Sequence, residues 1–447
     1  MTCSRLVIAA TAAAVLSGCA VFGGSGTPVP GGGLVVGDEP EAVQAGADVL
    51  AHGGNAADAV TATYFSLAVT YPVAAGLGGG GLCIVYDSAK QNAQALDFLP
   101  RDPAHGGRYA VPGNVSGFSY LQANYGRLPW QRLISPAEGA AAAGFPISLA
   151  LDARLDDSQD IIRLDASLSH EFMDETGHVK PVGTRVSAPE LAQTLSLIRT
   201  QGPEGFYRGQ VAKGIVAYTS SEGGALGAAD LAAYAPQRQG PAIVHIGNQT
   251  VFLPPSRLGA GRFAAALLSR LVDSEGQASA KTGLAASVAA ATKATLDAYH
   301  LAALPRDLGA TGFAAEDPGG LAVACAVTMN GPFGSGHTAT GTGMTLAAAP
   351  DTGQAGLAAA FLTPVIAVSD KNFSLAGAGA GGPNGTAGIA LALLKLAAGE
   401  DVIAPRALSP TGIEPYDTVN VIGCQNGICT ATPDPGAHGM GAAVGSP

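Results

Sequence analysis

The 447-residue chain carries 34 acidic against 23 basic side chains, a net charge of −11, and only 13% of its residues are charged. No Lys/Arg cluster occurs, so the electrostatic footprint of a nucleic-acid-binding protein is missing. With 63 glycines and abundant alanine, the chain is long enough for a large core packed through small side chains, as two or three domains or as one large layered fold.

Arg5 is the single positive charge ahead of an uncharged run from Leu6 to Leu16. That run is too short to span a bilayer as a mature helix. Leu16-Ser17-Gly18-Cys19 follows and looks like a bacterial lipobox. Residues 1–18 are then a signal peptide, and Cys19 becomes the first residue and carries acyl chains, several of which anchor stably. Ala20 rather than Asp follows the Cys, which fits an outer-membrane, periplasm-facing protein. The alternative is an ordinary secreted chain with a chance Cys. Residues 19–33 read as a Gly/Ser/Pro tether, and no later stretch has the length and apolarity of a membrane span.

Glu41 to His52 has helical spacing and ends at Gly53-Gly54, a C-cap signal. Asn55, with Asp58 three residues on, forms a near capping box for a second helix, Ala56 to Val69, which is apolar nearly all round and so expected to be buried. Gly76 to Gly81 is a glycine loop feeding a strand, Leu82 to Tyr86, with a return strand at Ala93 to Phe98. Gly76, Gly78 and Gly81 formally spell G-x-G-x-x-G, but the order is helix, loop, strand, whereas dinucleotide binding needs strand, loop, helix. Helical patterns follow at Pro136 to Ala143, Pro189 to Thr200 and Leu284 to Ala303. Thr311 to Ala315 and Leu321 to Thr328, joined by Asp317-Pro318-Gly319-Gly320, read as a β-hairpin. Pro364 to Val368 pairs with Phe373 to Ala376, and a helix spans Gly388 to Ala398.

Of the six Cys, Cys83 and Cys325 sit in apolar runs and read as buried thiols. Cys424 and Cys429 flank Asn426-Gly427, the strongest two-residue hairpin signal. That turn sets them face to face, ready for a cross-strand disulfide in an oxidising compartment. Zinc with His438 is the other reading of the pair, short of a fourth ligand. None of the eight His has metal-ligand spacing, and no G-x-S-x-G elbow occurs. Read without any family, the residues point to an exported α+β protein with no cofactor or metal and no assigned chemistry.

The segment from Ala45 to Ala104 resembles the γ-glutamyltranspeptidases, which are N-terminal-nucleophile hydrolases. The likeness is carried by Gly53-Gly54-Asn55-Ala56-Ala57-Asp58-Ala59, by Gly76-Leu77-Gly78-Gly79-Gly80-Gly81 with Ile84-Val85-Tyr86-Asp87, and by Ala95-Leu96-Asp97-Phe98. It continues through Val111-Pro112-Gly113, Tyr125-Gly126-Arg127-Leu128-Pro129-Trp130, Gly144-Phe145-Pro146, Gly202-Pro203 with Phe206-Tyr207-Arg208-Gly209, and Asp230-Leu231-Ala232-Ala233-Tyr234. The resemblance implies a four-layer α/β/β/α sandwich made as one precursor, which cuts itself before a Thr. That Thr, with its freed amine as base, becomes the nucleophile for hydrolysis or transfer of γ-glutamyl groups from glutathione-type amides. Residues 34–309 then correspond to the large subunit and 310–447 to the small one.

The family's small subunit opens Thr-Thr-His, with an Asp seven residues after the first Thr and a later Thr-x-Asn. Here Asp317, Thr328 and Asn330 hold that register, which places Ala310 at the nucleophile position. Losing one residue before Asp317 places Thr311 there instead. Arg101 stands two residues beyond the position of the family's carboxylate-gripping Arg, where this chain has Leu99. Asp351 falls near the amine-binding Asp, and Gly381-Gly382 match the oxyanion glycines. Two outcomes follow from the resemblance: a Thr311 enzyme, or an uncut relative that acts as an envelope binding lipoprotein. An amidase or acylase with a changed substrate is a third.

Overall fold

A computed structural model describes residues 32–256, 259–280, 282–301, 303–402 and 416–445. The expected signal peptide and the expected lipidation site Cys19 lie outside them. Two antiparallel sheets face each other. In spatial order the first runs Met440–Val444, Gly33–Gly37, Ala310–Glu316, Leu321–Thr328, Gly80–Asp87, Asn92–Phe98 and Gln237–Gln239. The second runs Ile428–Thr432, Thr418–Gln425, Asn372–Ala380, Thr363–Ser369, Gln249–Leu253 and Ala242–Ile246. Helices cover both outer faces, which makes the four-layer α/β/β/α sandwich. Among the described residues no helix is long and apolar enough to cross a membrane.

Side-chain alternation assigns each strand's residues to a layer. In Ala310–Glu316, Phe313 and Ala315 join the helix-side core, while Ala314 joins the core between the sheets. That inter-sheet core is built with alanines at Ala314, Ala322, Ala324 and Ala376 beside Ile84, Ile366 and Ile422. Small side chains let the sheets approach. A methyl group at Gly312 would stand 2.8 Å from that of Ala378.

Helix Ala56–Thr70 is buried along its whole length, as its composition predicts, and Asn55 and Asp58 complete the capping box. The buried Asp317 carboxylate, brought from the distant hairpin, accepts the Ala56 N–H at 2.9 Å. An acidic group at a helix N-terminus satisfies an orphan donor and complements the dipole.

Several expectations need correction. Gly33–Gly37 is a fully buried strand, so Gly33 belongs to the fold and not to the expected tether. Helix Trp130–Ala143 starts before Pro136 and contains it; the ring costs one hydrogen bond, at the exposed turn of Arg132. Helix Leu284–Ala298 stops short of Ala303 because His300 takes a left-handed φ of 57°, a helix-ending conformation. The last helix begins earlier, at Pro383, where proline suits a first turn.

Cys83 and Cys325 are not free thiols but a disulfide. They are directly opposed on Gly80–Asp87 and Leu321–Thr328, with Cα atoms 4.1 Å apart. Two apolar strands 242 residues apart in sequence cannot be read as neighbours from local pattern. Cys424 and Cys429 also form a disulfide across their hairpin. Asn426 and Gly427 have φ of 51° and 77°, the pair of left-handed residues that a type I′ turn requires.

Candidate active site

The strand Ala310–Glu316 lies near the middle of the first sheet, and its two opening residues face opposite ways. Thr311 is fully buried, and its hydroxyl donates to the Asp38 carboxylate at 2.5 Å. Asp38 follows the Gly33–Gly37 strand directly, so the pairing of that strand with Ala310–Glu316 brings the two groups together. The other Asp38 oxygen accepts from Asn420 Nδ2 at 2.7 Å, and the same amide donates to the Gly312 carbonyl at 2.8 Å. Burial holds the Asp38 carboxyl above the ordinary range, Thr311 and Asn420 pull it down, and Asp434 pushes it up.

Ala310 packs in a small apolar cluster with Leu82, Ala326, Leu362 and Ala380, against the partly buried Leu99. It pairs in register with Thr328. Thr328 donates its hydroxyl to the Gly309 carbonyl at 3.0 Å and accepts the Asn330 N–H at 2.8 Å. Gly381 and Gly382 come directly after Ala380. Gly381 has φ of +89°, and a Cβ on Gly382 would strike the Asp417 carboxylate. That carboxylate accepts the Asn384 N–H at 2.7 Å, at the start of the last helix.

Beside this strand end lies a cavity of about 270 Å³ lined by Asp97, Leu99, Arg101, Asp102 and Asn330, among others. The Arg101 guanidinium sits 4.7 Å over the Tyr234 ring, and Nη1 donates to the Ala235 carbonyl at 3.1 Å. Its buried Nη2 has no hydrogen-bond partner among the described residues, and neither does Asn330 Oδ1. Asn330 Nδ2 is used by the Ala348 carbonyl at 2.9 Å. Arg101 and Asn330 thus share a pocket and each keeps an unused polar atom, as a site for a polar ligand requires. Asp351 is not in the lining. It is exposed, and its backbone N–H donates to the Asp102 carboxylate at 3.2 Å. Among the described residues no three His, Cys, Asp or Glu side chains gather as a metal site.

The residues that sequence reading missed are Asp38, Arg154 and Asp307. Arg154 is 1% exposed on helix Leu149–Asp157, on the same face as Ala150, Leu151 and Leu155. An arginine on an apolar stripe was the available signal, since a charge is buried only when it is paired. Its Nε donates to Asp307 Oδ2 at 2.9 Å, Nη2 pairs with the other Asp307 oxygen, and Nη1 reaches the Ala310 carbonyl at 3.2 Å and the Tyr71 hydroxyl at 3.3 Å. Asp38 offered only the weaker hint of an acid directly after an apolar run.

Residues 42–282, more than half of the chain, match the family model described as gamma-glutamyltranspeptidase. The chain is 32% identical over 258 residues to a glutathione hydrolase proenzyme of Pseudomonas aeruginosa, an alignment that covers 53% of this chain and 45% of that protein. The chain therefore spans less than half the length of that curated relative. Among solved structures, the cephalosporin acylase of Bacillus halodurans superposes with a TM-score of 0.74 at 20% identity, over 94% of this chain and 97% of that one. This is a likeness of fold, that of the N-terminal-nucleophile hydrolases. The gamma-glutamyltranspeptidase of Helicobacter pylori gives a TM-score of 0.52 at 27% identity, over 58% of this chain and 81% of that one.

Proposed function

Because the chain belongs to the gamma-glutamyltranspeptidase family, we propose that it is made as a precursor, cuts its own Ala310–Thr311 bond, and then hydrolyses or transfers γ-glutamyl groups of glutathione-type amides through Thr311. The observation that carries this reading is the hydrogen bond from the Thr311 hydroxyl to the buried Asp38 carboxylate. A Thr hydroxyl is a weak nucleophile until a base takes its proton, and Asp38 is placed to take it. The cut frees the Thr311 α-amine as the base for later turnovers and detaches Ala310, which fills the space next to Leu99. The substrate's carboxylate is assigned to Arg101, whose unpaired Nη2 lines the neighbouring cavity. Thr328 and Asn330 steady the strand end, and Gly381-Gly382 supply donors to the tetrahedral oxyanion. Asp351, outside the lining but joined through its N–H to Asp102, is assigned to the substrate amine.

Two disulfides fit an extracytoplasmic location. The lipid on Cys19 and a periplasm-facing position are part of the proposal. Loss of membrane association in Cys19→Ala supports the anchor, and unchanged fractionation refutes it.

A second reading has its own observation. Ala310, not Thr311, stands across from Thr328 and is packed in an apolar cluster. This favours an uncut relative that holds a γ-glutamyl ligand at Arg101 without turning it over. Intact mass and N-terminal sequencing of the purified lipid-free protein decide between them. Fragments with a new N-terminus at Thr311, together with glutamate release from a γ-glutamyl amide that is lost in Thr311→Ala, support the enzyme. A chain still whole after long incubation refutes it and leaves the binding reading.

A further inference from the structure

The carbonyl of the bond to be cut has a partner of its own. We propose that Arg154 is the electrophilic group of the self-cleavage, stabilising the oxyanion that forms on the Ala310 carbonyl. This rests on the precursor reading above and assigns to it a residue that the sequence pattern did not single out.

The geometry places a cation on the reacting atom before any reaction begins. Arg154 Nη1 donates to the Ala310 oxygen at 3.2 Å, while Thr311 Oγ1, on the next residue, is held by Asp38 at 2.5 Å. One peptide unit therefore has a base at its nucleophile and a donor at its carbonyl. The guanidinium is fixed from three sides. Asp307 takes Nε and Nη2, the Tyr71 hydroxyl meets Nη1, and the Tyr71 and Tyr416 rings lie 5.3 and 5.4 Å from its central carbon. Asp307 also accepts the Gly309 N–H at 2.7 Å, so the same carboxylate that orients Arg154 holds the loop leading into the bond. Gly309 itself has φ of +59°, and a Cβ there would overlap the Gly331 carbonyl, so the approach to the bond admits only glycine.

The acyl shift balances with these groups alone, and water completes the cut. Thr311 Oγ1 gives its proton to Asp38 and bonds to the Ala310 carbonyl carbon. The carbonyl electron pair moves onto the oxygen facing Arg154. As that pair returns, the Ala310 C–N bond breaks, and the Thr311 nitrogen takes the proton from Asp38. The product is an ester of Ala310 on the Thr311 hydroxyl. Water then hydrolyses it to a free Ala310 carboxyl and a free Thr311. A preorganised donor at a buried peptide bond is worth most where charge develops.

The test is the rate of self-cleavage in freshly folded protein, followed by intact mass, for wild type, Arg154→Lys and Arg154→Ala, with melting temperature as the folding control. Hydroxylamine is added in a parallel sample to trap the ester as an Ala310 hydroxamate. Arg154→Lys is expected to fold and to cut about a hundred- to a thousandfold more slowly. In Arg154→Ala, methylguanidinium is expected to restore the cut saturably, while methylammonium does not, a response that a purely structural arginine does not give. Folded variants that cut within threefold of wild type overturn the assignment while leaving the precursor reading intact. So does failure of both variants to fold, which assigns Arg154 to the fold. A wild type that never cuts removes the precursor reading itself.

Discussion

Removing the Cys83–Cys325 disulfide should destabilise the protein and change what a cut chain looks like. In the uncut chain, kept whole by Thr311→Ala for this measurement, the bridge closes a loop of 242 residues. In the chain-entropy treatment such a loop restricts the unfolded state by about 5 kcal/mol at 25 °C, and measured losses run from about 2 to 5. For a fold of roughly 400 ordered residues, 1 kcal/mol moves the midpoint by about 1 °C, so Cys83→Ala/Cys325→Val should melt roughly 2–6 °C lower. The Cys424–Cys429 bridge is the internal control. It closes only five residues, about 2 kcal/mol by the same treatment, so its loss should cost less than half as much. The assay is thermal unfolding without reductant, paired with peptide mapping of the unreduced protein. The first bridge also joins a strand before residue 310 to one after it. A chain cut at Ala310–Thr311 should therefore run as one species on a non-reducing gel and as two after reduction. Recovery of Cys83 and Cys325 as free thiols, or an unchanged melting temperature in the double variant, refutes the reasoning.

Asp38→Asn should slow self-cleavage by about a hundredfold or more, read by intact mass. In wild type the rate should rise with pH through the elevated Asp38 pKa, because only the ionised carboxylate accepts the Thr311 proton. The groups acting on Asp38 are Thr311, Asn420, Thr418 and Asp434, and Tyr71 lies close enough to feel its charge. A flat profile removes Asp38 as the base. Burial, with Asp317 adding to it, pushes Glu316 up to about 8. A carboxyl with a raised folded pKa stabilises fully below its unfolded value and loses that contribution as pH rises toward 8. Glu316→Gln should therefore gain up to a few kcal/mol relative to wild type above pH 8 and little at pH 4, in denaturation series at the two pH values. Asp317→Ala should cost about 1–2 kcal/mol by stranding the Ala56 N–H, with a lowered denaturation midpoint as the readout. Gly312→Ala should cost about 1–3 kcal/mol by forcing a methyl against Ala378, and an unchanged midpoint would show that the sheets can spread.

Local chemistry made much of this protein legible. Asn55 and Asp58 spell a cap because a side-chain oxygen three residues from an N–H can reach it. Asn426-Gly427 spells a turn because both residues tolerate a left-handed backbone, and the turn alone sets Cys424 against Cys429. The glycine loop and the motifs around it carried the family and, through it, the four layers. Tertiary structure decided what depends on strands meeting across hundreds of residues. Cys83 finds Cys325, Asp317 caps a helix that begins at Ala56, Asp38 reaches Thr311 through strand pairing, and Arg154 crosses from another helix to the Ala310 carbonyl. Sequence period tells which face a residue occupies, but not which distant residue shares that face. The chemistry proposed for this chain lies in those long-range pairs.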